Sequence, residues 1–208
     1  MGEKGTDVAK EASELVLLDD SFPTLVHAVR EGRTIYTNLK KTVLASMTTN
    51  SAELAVVLLG LVGVALWNWA LPILVVQILA IDLLAEILPL TFLTFDPPSK
   101  AMMTSPPRSQ NEHIITTCTG TEIIFLGVLI GALAFGNFGL YMFREGITLT
   151  VDTTDILPYV KATTIAYLTI AYCQFVNIMS RRYTYTSLFN RNFSSNKILI
   201  GPLYFPFV

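Results

Sequence analysis

The stretch Ile81-Asp82-Leu83-Leu84-Ala85-Glu86 lies inside an otherwise apolar run from Leu71 to Phe95. Its two carboxylates are four residues apart, so on a helix they share one face. Each carboxylate costs roughly 2.5–3.5 kcal/mol at the centre of a membrane helix. The preceding apolar run carries a similar polar pair, Asn50 and Glu53, three residues apart. Three carboxylates kept in apolar runs at this cost predict that they bind a cation.

The composition is typical of a membrane protein. Of the 208 residues, 52% are hydrophobic and only 14% are charged, and the mean hydropathy is +0.54. Soluble domains carry about 25% charged residues, so this chain has too few to cover a water-exposed surface. The lipid bilayer is therefore the expected surrounding. The net charge of −2, with no dense basic stripe, argues against a nucleic-acid partner.

The first 20 residues have the pattern of a short α/β unit. A helix is predicted over Val8–Leu15, with Thr6 or Asp7 as its N-cap, and a strand at Val16-Leu17-Leu18. One helix and one strand cannot form a core. We interpret this segment as a remnant of a larger α/β domain. The alternative is an ordinary amphipathic N-terminus.

Residues 21–42 have helical periodicity, with apolar positions alternating with basic ones. We interpret them as a cytoplasmic stalk helix that leads into the membrane. Four apolar runs follow that are long enough to cross a bilayer core of about 30 Å. These predicted spans are Val43–Trp67, Leu71–Phe95, Ile114–Phe143 and Tyr159–Met179.

The predicted fold class is an all-α polytopic membrane protein, an antiparallel transmembrane helix bundle with the small N-terminal α/β remnant. The distribution of Lys and Arg in the connections predicts a cytoplasmic N-terminus. The apolar tail at residues 198–208 is too short to cross a bilayer and is interpreted as a truncated fifth span. The third span carries Gly127, Gly131, Gly136 and Gly139, which predict close helix packing.

The depth of the carboxylates follows from the helical rise of about 1.5 Å per residue. Glu53 lies about 16 residues before the centre of the short connector at Trp67–Pro72. Asp82 and Glu86 lie about 13 and 17 residues after its centre. All three carboxylates are therefore expected near the middle of the bilayer, where two antiparallel helices present oxygens to one point.

These carboxylates, with neutral oxygens nearby, match the ligands that a hard cation needs. Calcium takes six to eight oxygen ligands. The alternative is that protonated carboxyl groups and amides form hydrogen bonds between helices. No catalytic or nucleotide-binding residues are predicted, since no phosphate-binding glycine loop occurs. The predicted cation ligands are Asn50, Glu53, Asp82 and Glu86, with Thr49, Gln174 and Asn177 as possible contributors.

The same residues resemble a known family, the P-type cation-transporting ATPases of the calcium-pump and sodium/potassium-pump branch. Asn50-x-x-Glu53 resembles the ion-site motif of the family's fifth membrane helix. Ile81-Asp82-Leu83-x-Ala85-Glu86-x-x-Pro89 resembles that of the sixth, and the loop Pro97-Pro98…Met103…Pro106-Pro107-Arg108 resembles the motif that follows it. Gln174-x-x-Asn177 stands where the eighth helix contributes ligands in the sodium-pump branch.

The resemblance implies a domain assignment. Residues 1–20 would be the end of the phosphorylation domain, 21–42 the stalk, and 43–208 the C-terminal transmembrane domain. It also implies that the predicted ligands hold the transported cation, whose identity stays open. The absence of glycine from residues 71–95 leaves no sequence signal for local unwinding of the sixth helix.

The predicted function is therefore the cation-binding membrane portion of an ATP-driven pump in the plasma membrane. Mg-ATP would act on N-terminal pump domains that this chain lacks, so the fragment alone should be inactive as an ATPase. Two alternatives stay open. The chain could be a non-enzymatic membrane protein, such as a passive cation transporter or an accessory subunit, or an inactive truncated gene product.

Overall fold

The computed structural model describes residues 5–19, 21–98, 102–104, 106, 113–146 and 156–182. Within these ranges the chain is built from helices, with no strand. In chain order they are α1 (Asp7–Glu11), α2 (Phe22–Trp67), α3 (Val75–Ala80), a π-helical segment (Ile81–Glu86), α4 (Ile87–Thr94), α5 (Thr117–Arg144) and α6 (Ile156–Arg182). The chain divides into two compact units, with boundaries at 39/40, 96/97 and 112/113.

The N-terminal segment differs from its prediction. Helix α1 is present and Thr6 is its N-cap, with the Thr6 hydroxyl accepting a hydrogen bond from the Ala9 amide at 3.4 Å. The helix ends at Glu11, however, and the predicted strand at Val16–Leu18 does not form. A strand needs a neighbour that pairs with several of its backbone groups, and here only Leu17 makes a single isolated bridge. The structure therefore does not support the predicted α/β remnant.

The first unit also holds part of the loop that follows the second span. The Arg33 guanidinium donates a hydrogen bond to the Met102 carbonyl oxygen at 3.0 Å, and the Thr37 hydroxyl lies 3.9 Å from the Met102 sulfur. The predicted stalk therefore uses Arg33 to hold this loop. The predicted stalk and the predicted first span form one continuous 46-residue helix, α2.

Four helical segments of the described chain are long and apolar enough to cross a membrane, which confirms the four predicted spans. They are Phe22–Trp67, Val75–Thr94, Thr117–Arg144 and Ile156–Arg182. The predicted truncated fifth span at 198–208 lies outside the described residues.

The second span is interrupted by the π-helical segment, which coincides with the stretch that carries the two carboxylates. The Ile87 amide donates to the carbonyl oxygen of Asp82, five residues earlier, instead of four as in an α-helix. The helix thus departs from regular geometry without any glycine. Such wider turns occur often at functional sites.

Apolar layers hold the spans of the second unit together. The middle layer contains Val56, Ile81, Ala85 and Ile170, and its other buried members are Ile73, Ala134 and Ala171. A second layer contains Ala45, Leu90, Leu93, Ile178 and Met179. Along α2, the second layer (Ala45) comes before the middle layer (Val56). Along the second span, the middle layer (Ile81 and Ala85) comes before the second layer. This reversal is what an antiparallel hairpin produces, as predicted.

Two of the four glycines of α5 make a close helix contact. A Cβ atom on Gly131 would lie 2.7 Å from the Ala55 Cβ and 3.0 Å from the Ala52 carbonyl oxygen, and one on Gly127 would overlap the Ser51 side chain. Only glycine therefore allows α5 to approach α2 so closely. Gly136 and Gly139 face open space instead, so the prediction of close packing is confirmed only for the first pair.

Candidate cation site

Each of three helices places a buried carboxyl or glutamine side chain between the two apolar layers, beside the smaller buried polar residues Thr48, Thr49 and Asn177. On α2, Glu53 lies between Ala45 and Val56. On the second span, Glu86 lies between Ala85 and Leu90, and on α6 Gln174 lies between Ala171 and Ile178. Glu53 is 7% exposed, Glu86 5% and Gln174 2%. The three side chains therefore form a buried polar level with apolar packing on both sides.

The polar atoms of this level are incompletely paired. Glu53 Oε1, Glu86 Oε2 and both amide atoms of Gln174 are buried without a hydrogen-bond partner. An unpaired buried polar group costs on the order of 1–3 kcal/mol. Most buried polar atoms in proteins have a partner, so these four atoms are exceptional.

Electrostatic interaction links the carboxylates of the two helices. The negative charges of Asp82 and Glu86 both act on Glu53, and that of Asp82 also acts on Glu86. Asp82 is less buried than the other two. Ser46 and Gln174 both lie near the Glu86 carboxyl group and interact with it, although the Gln174 amide makes no hydrogen bond of standard geometry. The structure thus brings the three predicted carboxylates into one neighbourhood, as their calculated depth required.

These carboxylates do not form a closed metal cage. Among the residues that the structure describes, no three His, Cys, Asp or Glu side chains come close enough to hold a metal ion by themselves. A cation at this level would need neutral oxygens as well, which agrees with the six to eight ligands that calcium takes. Gln174 and Ser46 are placed to contribute them.

The other predicted ligands occupy three different situations. Thr49 is buried, and its hydroxyl donates to the Ala45 carbonyl oxygen at 3.3 Å, which leaves its lone pairs available. Asn50 lies on an exposed part of α2, whereas Glu53 one turn later is buried. Asn177 is buried, but its carbonyl oxygen already accepts a hydrogen bond from Arg181 Nε at 3.2 Å.

Sequence reasoning missed Ser46, although a signal was available. Ser46 precedes Glu53 by seven residues, two helical turns, and so shares its face of α2. A small hydroxyl residue on a carboxylate face could have been recognised from this spacing.

Sequence reasoning also missed a charged cluster where the second span and α6 end. Arg182 Nε donates to Asp96 Oδ1 at 2.9 Å, and Lys41 Nζ lies 4.0 Å from Asp96 Oδ2. Lys41 also donates to the Arg182 carbonyl oxygen at 2.9 Å. These contacts join α2, the end of the second span and α6 at one end of the bundle. The sequence carried no spacing signal for them, because the three residues are far apart along the chain.

This arrangement can hold a positive charge in a water-poor layer. Carboxylate, amide and hydroxyl oxygens suit a hard cation, whereas a soft metal would require thiolate or imidazole ligands. The low local dielectric strengthens attraction between the carboxylates and a cation. Without a cation the negatively charged carboxylates repel one another, so a bound ion or a proton would stabilise the buried polar level.

Comparison with known proteins agrees with this chemistry. Residues 70–207 match the family described as "Cation transporting ATPase, C-terminus". The chain is 35% identical over 201 residues to the calcium-transporting ATPase of Bacillus subtilis, covering 97% of this chain and 21% of the relative. It is 36% identical over 162 residues to the endoplasmic reticulum-type calcium-transporting ATPase 4 of Arabidopsis thaliana, covering 76% of this chain and 15% of the relative.

A third relative, the calcium-transporting ATPase type 2C member 1 of Homo sapiens, is 29% identical over 198 residues, covering 95% of this chain and 20% of the relative. The chain thus spans about a fifth of the length of these relatives or less. Its four apolar helices agree with a multi-pass membrane region. The chain therefore belongs to the P-type cation-transporting ATPases and corresponds to their C-terminal membrane region.

Proposed function

We propose that this chain forms the cation-binding part of a calcium pump, in which ATP hydrolysis elsewhere in the complete polypeptide drives transport. The observation that carries the proposal is the buried polar level of Glu53, Glu86 and Gln174, whose unpaired atoms lie between two apolar layers. Calcium is proposed because the most similar relatives described above are named calcium-transporting ATPases and because the available oxygens suit it.

The proposed ligands are Glu53, Asp82, Glu86 and Gln174. Thr49 and Ser46 supply neutral oxygens at the edge of this ligand set. Asn50 stays a prediction of the sequence, since it lies on an exposed part of α2. The π-helical segment supports this set, because its wider turn sets the directions in which Asp82 and Glu86 leave the second span.

The energy source is proposed to lie outside this chain. The chain spans about a fifth of its relatives or less, and its sequence has no phosphate-binding glycine loop. Mg-ATP would act in the remainder of a complete pump, and the chain alone would not hydrolyse ATP. The role proposed for this chain is to bind the ion and to transmit changes in the geometry of the cation site to the rest of the pump.

The proposed orientation places the Lys41–Arg182 end of the bundle on the cytoplasmic side of the plasma membrane. Lys41 and Arg182 meet at this end, where Lys41 Nζ donates to the Arg182 carbonyl oxygen. Basic residues concentrate on the cytoplasmic side of membrane proteins. Helix α2 continues from this end toward the N-terminus, which would therefore be cytoplasmic.

The proposal is tested by equilibrium dialysis of radioactive calcium against the 208-residue chain in lipid nanodiscs. Glu53→Gln and Glu86→Gln keep the shape of the side chain but remove its charge, so each should weaken calcium binding by on the order of 100-fold. Glu145→Gln, at an exposed position after α5, is the matched control and should bind like the wild type. Equal binding by all four proteins would contradict the proposed site.

A second measurement separates a pump from a passive membrane protein. In the complete polypeptide that contains this chain, calcium should stimulate phosphorylation from ATP, and Glu53→Gln should abolish this stimulation. Phosphorylation that is independent of calcium would contradict the proposed coupling even if the isolated chain binds the ion.

A further inference from the structure

The charged cluster of Lys41, Asp96 and Arg182 joins the same three segments that carry the buried polar level. Lys41 lies on α2, Asp96 lies directly after α4 at the end of the second span, and Arg182 ends α6. The buried polar level takes one side chain from each of these segments. Helix α5 supplies no side chain to either group. The cluster therefore acts on the helices that form the candidate cation site.

Asp96 is held from both neighbouring helices. Arg182 Nε donates to Asp96 Oδ1 at 2.9 Å, and Lys41 Nζ lies 4.0 Å from Asp96 Oδ2. Lys41 Nζ also donates to the Arg182 carbonyl oxygen at 2.9 Å, so the three contacts form a closed triangle. The side chains of Arg182, Asp96 and Lys41 are 3%, 10% and 17% exposed, so water competes little for these contacts.

The Asp96 backbone belongs to the last turn of the second span. Its amide donates to the Leu93 carbonyl oxygen at 3.2 Å, and the Phe95 amide donates to the Phe92 carbonyl oxygen at 3.3 Å. A shift of the Asp96 carboxylate relative to α2 and α6 therefore requires a shift of the span itself.

The distance from the cluster to the buried polar level is short on every helix. The two members on one helix are separated by eight to 12 residues, which corresponds to about 12–18 Å. Over two or three turns a helix transmits an axial displacement as a rigid element. The pairs on the three helices are Lys41 and Glu53, Glu86 and Asp96, and Gln174 and Arg182.

The apolar layers hold the helices together but specify their axial position only weakly, because hydrophobic attraction has no direction. A charge-assisted hydrogen bond does have a direction, and an axial slide of the second span would break the one between Arg182 and Asp96. Buried ion pairs often contribute little to stability, since apolar replacements are commonly neutral or stabilising. The best-attested role of such groups is to fix the register of packed helices.

We propose that the charged cluster positions the cation site, with Asp96 as the positioning residue that sets the axial register of the second span. This register brings Glu86 to the level of Glu53. The cluster residues do not touch the cation and act on it only through the position of the span. The inference rests on the proposed calcium site and identifies residues outside that site which set its affinity.

The net charge of the cluster separates this role from a direct electrostatic effect. Two cationic side chains and one carboxylate give one net positive charge. Neutral replacement of all three removes that charge, so electrostatics alone would strengthen calcium binding. Loss of register would weaken calcium binding instead, because the carboxylates would no longer face one another.

The test measures calcium affinity by equilibrium dialysis of the 208-residue chain in nanodiscs, together with the denaturant concentration that unfolds each variant. The triple variant Lys41→Met/Asp96→Leu/Arg182→Met replaces the cluster by apolar side chains. It should resist denaturant at least as well as the wild type. Its dissociation constant for calcium should nevertheless rise on the order of tenfold.

A single substitution decides the inference if the triple variant does not fold. Arg182→Met leaves Asp96 paired with Lys41 and also removes a positive charge, so register and electrostatics again predict opposite signs. Its dissociation constant should rise about threefold. Arg182→Lys keeps a donor and a positive charge opposite Asp96, and should bind calcium within about twofold of the wild type.

The matched control removes a polar contact that does not join two helices of the buried polar level. Asn137 Nδ2 on α5 donates to the Thr169 hydroxyl on α6 at 3.1 Å. The double variant Asn137→Leu/Thr169→Val replaces this contact by apolar side chains and should bind calcium like the wild type.

Equal or tighter calcium binding by the folded triple variant, or by Arg182→Met, would overturn the inference while the calcium site stands. An equal loss of affinity in the control variant would overturn it as well, because the effect would not be specific to the cluster. No saturable binding by the wild type would overturn the proposed calcium site and this inference with it.

Discussion

Arg182 Nε donates a hydrogen bond to Asp96 Oδ1 at 2.9 Å, and this buried ion pair ties the last residue of α6 to the segment just after α4. Arg182 is 5% exposed and Asp96 9%. The pair therefore secures the end of the span that carries Asp82 and Glu86. Any change that loosens it would let that span shift against α6.

Asp96→Ala is expected to destabilise the chain by about 3–5 kcal/mol, because it leaves a buried guanidinium without its carboxylate. The free energy of unfolding in mixed detergent micelles measures the effect. Glu122→Gln is the comparison, since Glu122 is half exposed in its ion pair with Arg181. Its cost should be about 1 kcal/mol or less. Similar losses for both variants would contradict the assigned role of burial.

Gln174→Leu is expected to stabilise the calcium-free chain by about 1–3 kcal/mol, because it removes a buried amide that makes no hydrogen bond of standard geometry. The same variant should bind calcium more weakly. Thermal unfolding with and without calcium measures both effects. A stability gain combined with a binding loss is the signature of a ligand, whereas a stability loss would indicate a purely structural amide.

Gln77→Leu provides the matched control for that prediction. Gln77 accepts from the Leu74 amide at 3.0 Å and donates to the Thr163 hydroxyl at 3.2 Å. Its replacement should therefore destabilise the calcium-free chain by about 1–2 kcal/mol. If both glutamine variants shift the free energy of unfolding in the same direction, the hydrogen bonding of the two amides does not explain their effects on stability.

Gly131→Leu is expected to destabilise the chain by about 1–3 kcal/mol, because the new side chain would separate α5 from Ala52 and Ala55 of α2. Gly136→Leu places the same side chain on the same helix, where the structure has open space. It should leave the free energy of unfolding unchanged or raise it, since leucine favours the helix more than glycine does. Equal losses would contradict the packing of α5 on α2.

Deletion of Leu84 is expected to turn the π-helical segment into regular α-helix, because such segments contain one residue more than an α-helix of the same span needs. Leu84 is 64% exposed, so its loss removes little packing. Asp82 and Glu86 would then leave the helix in different relative directions, and calcium binding should fall at least about tenfold while helical content is kept. Dialysis and circular dichroism measure the two quantities. Unchanged binding would show that the π-helical geometry is dispensable.

The number of spans and the depth of Glu53, Asp82 and Glu86 could be predicted from the sequence. Apolar runs of about 20 residues identify membrane helices, and the rise per residue is the same in every helix. Residue counts from the connector therefore predicted one depth for these carboxylates, and in the structure Asp82 and Glu86 lie close enough for their charges to act on Glu53.

The predicted strand at Val16–Leu18, which does not form, shows where a local sequence pattern fails to predict structure. Pairing with another segment decides whether a strand exists. The direction of each side chain around its helix could not be predicted either. Asn50 and Asn177 have suitable chemistry, yet one lies on an exposed surface and the other is held by Arg181. The direction of a side chain depends on helix rotation and packing.

The sequence alone determined that this chain is a bundle of helices long and apolar enough to span a membrane, and it predicted that the carboxylates share one depth, because hydrophobicity and helical rise act along the chain. Only the tertiary structure decided which oxygens face one another. The contact of Gly127 and Gly131 with α2 and the hydrogen bond from Arg181 to Thr48 arise between segments far apart in sequence, and the π-helical segment departs from the regular helix that the sequence predicts. Their geometry follows from packing, which local periodicity does not encode.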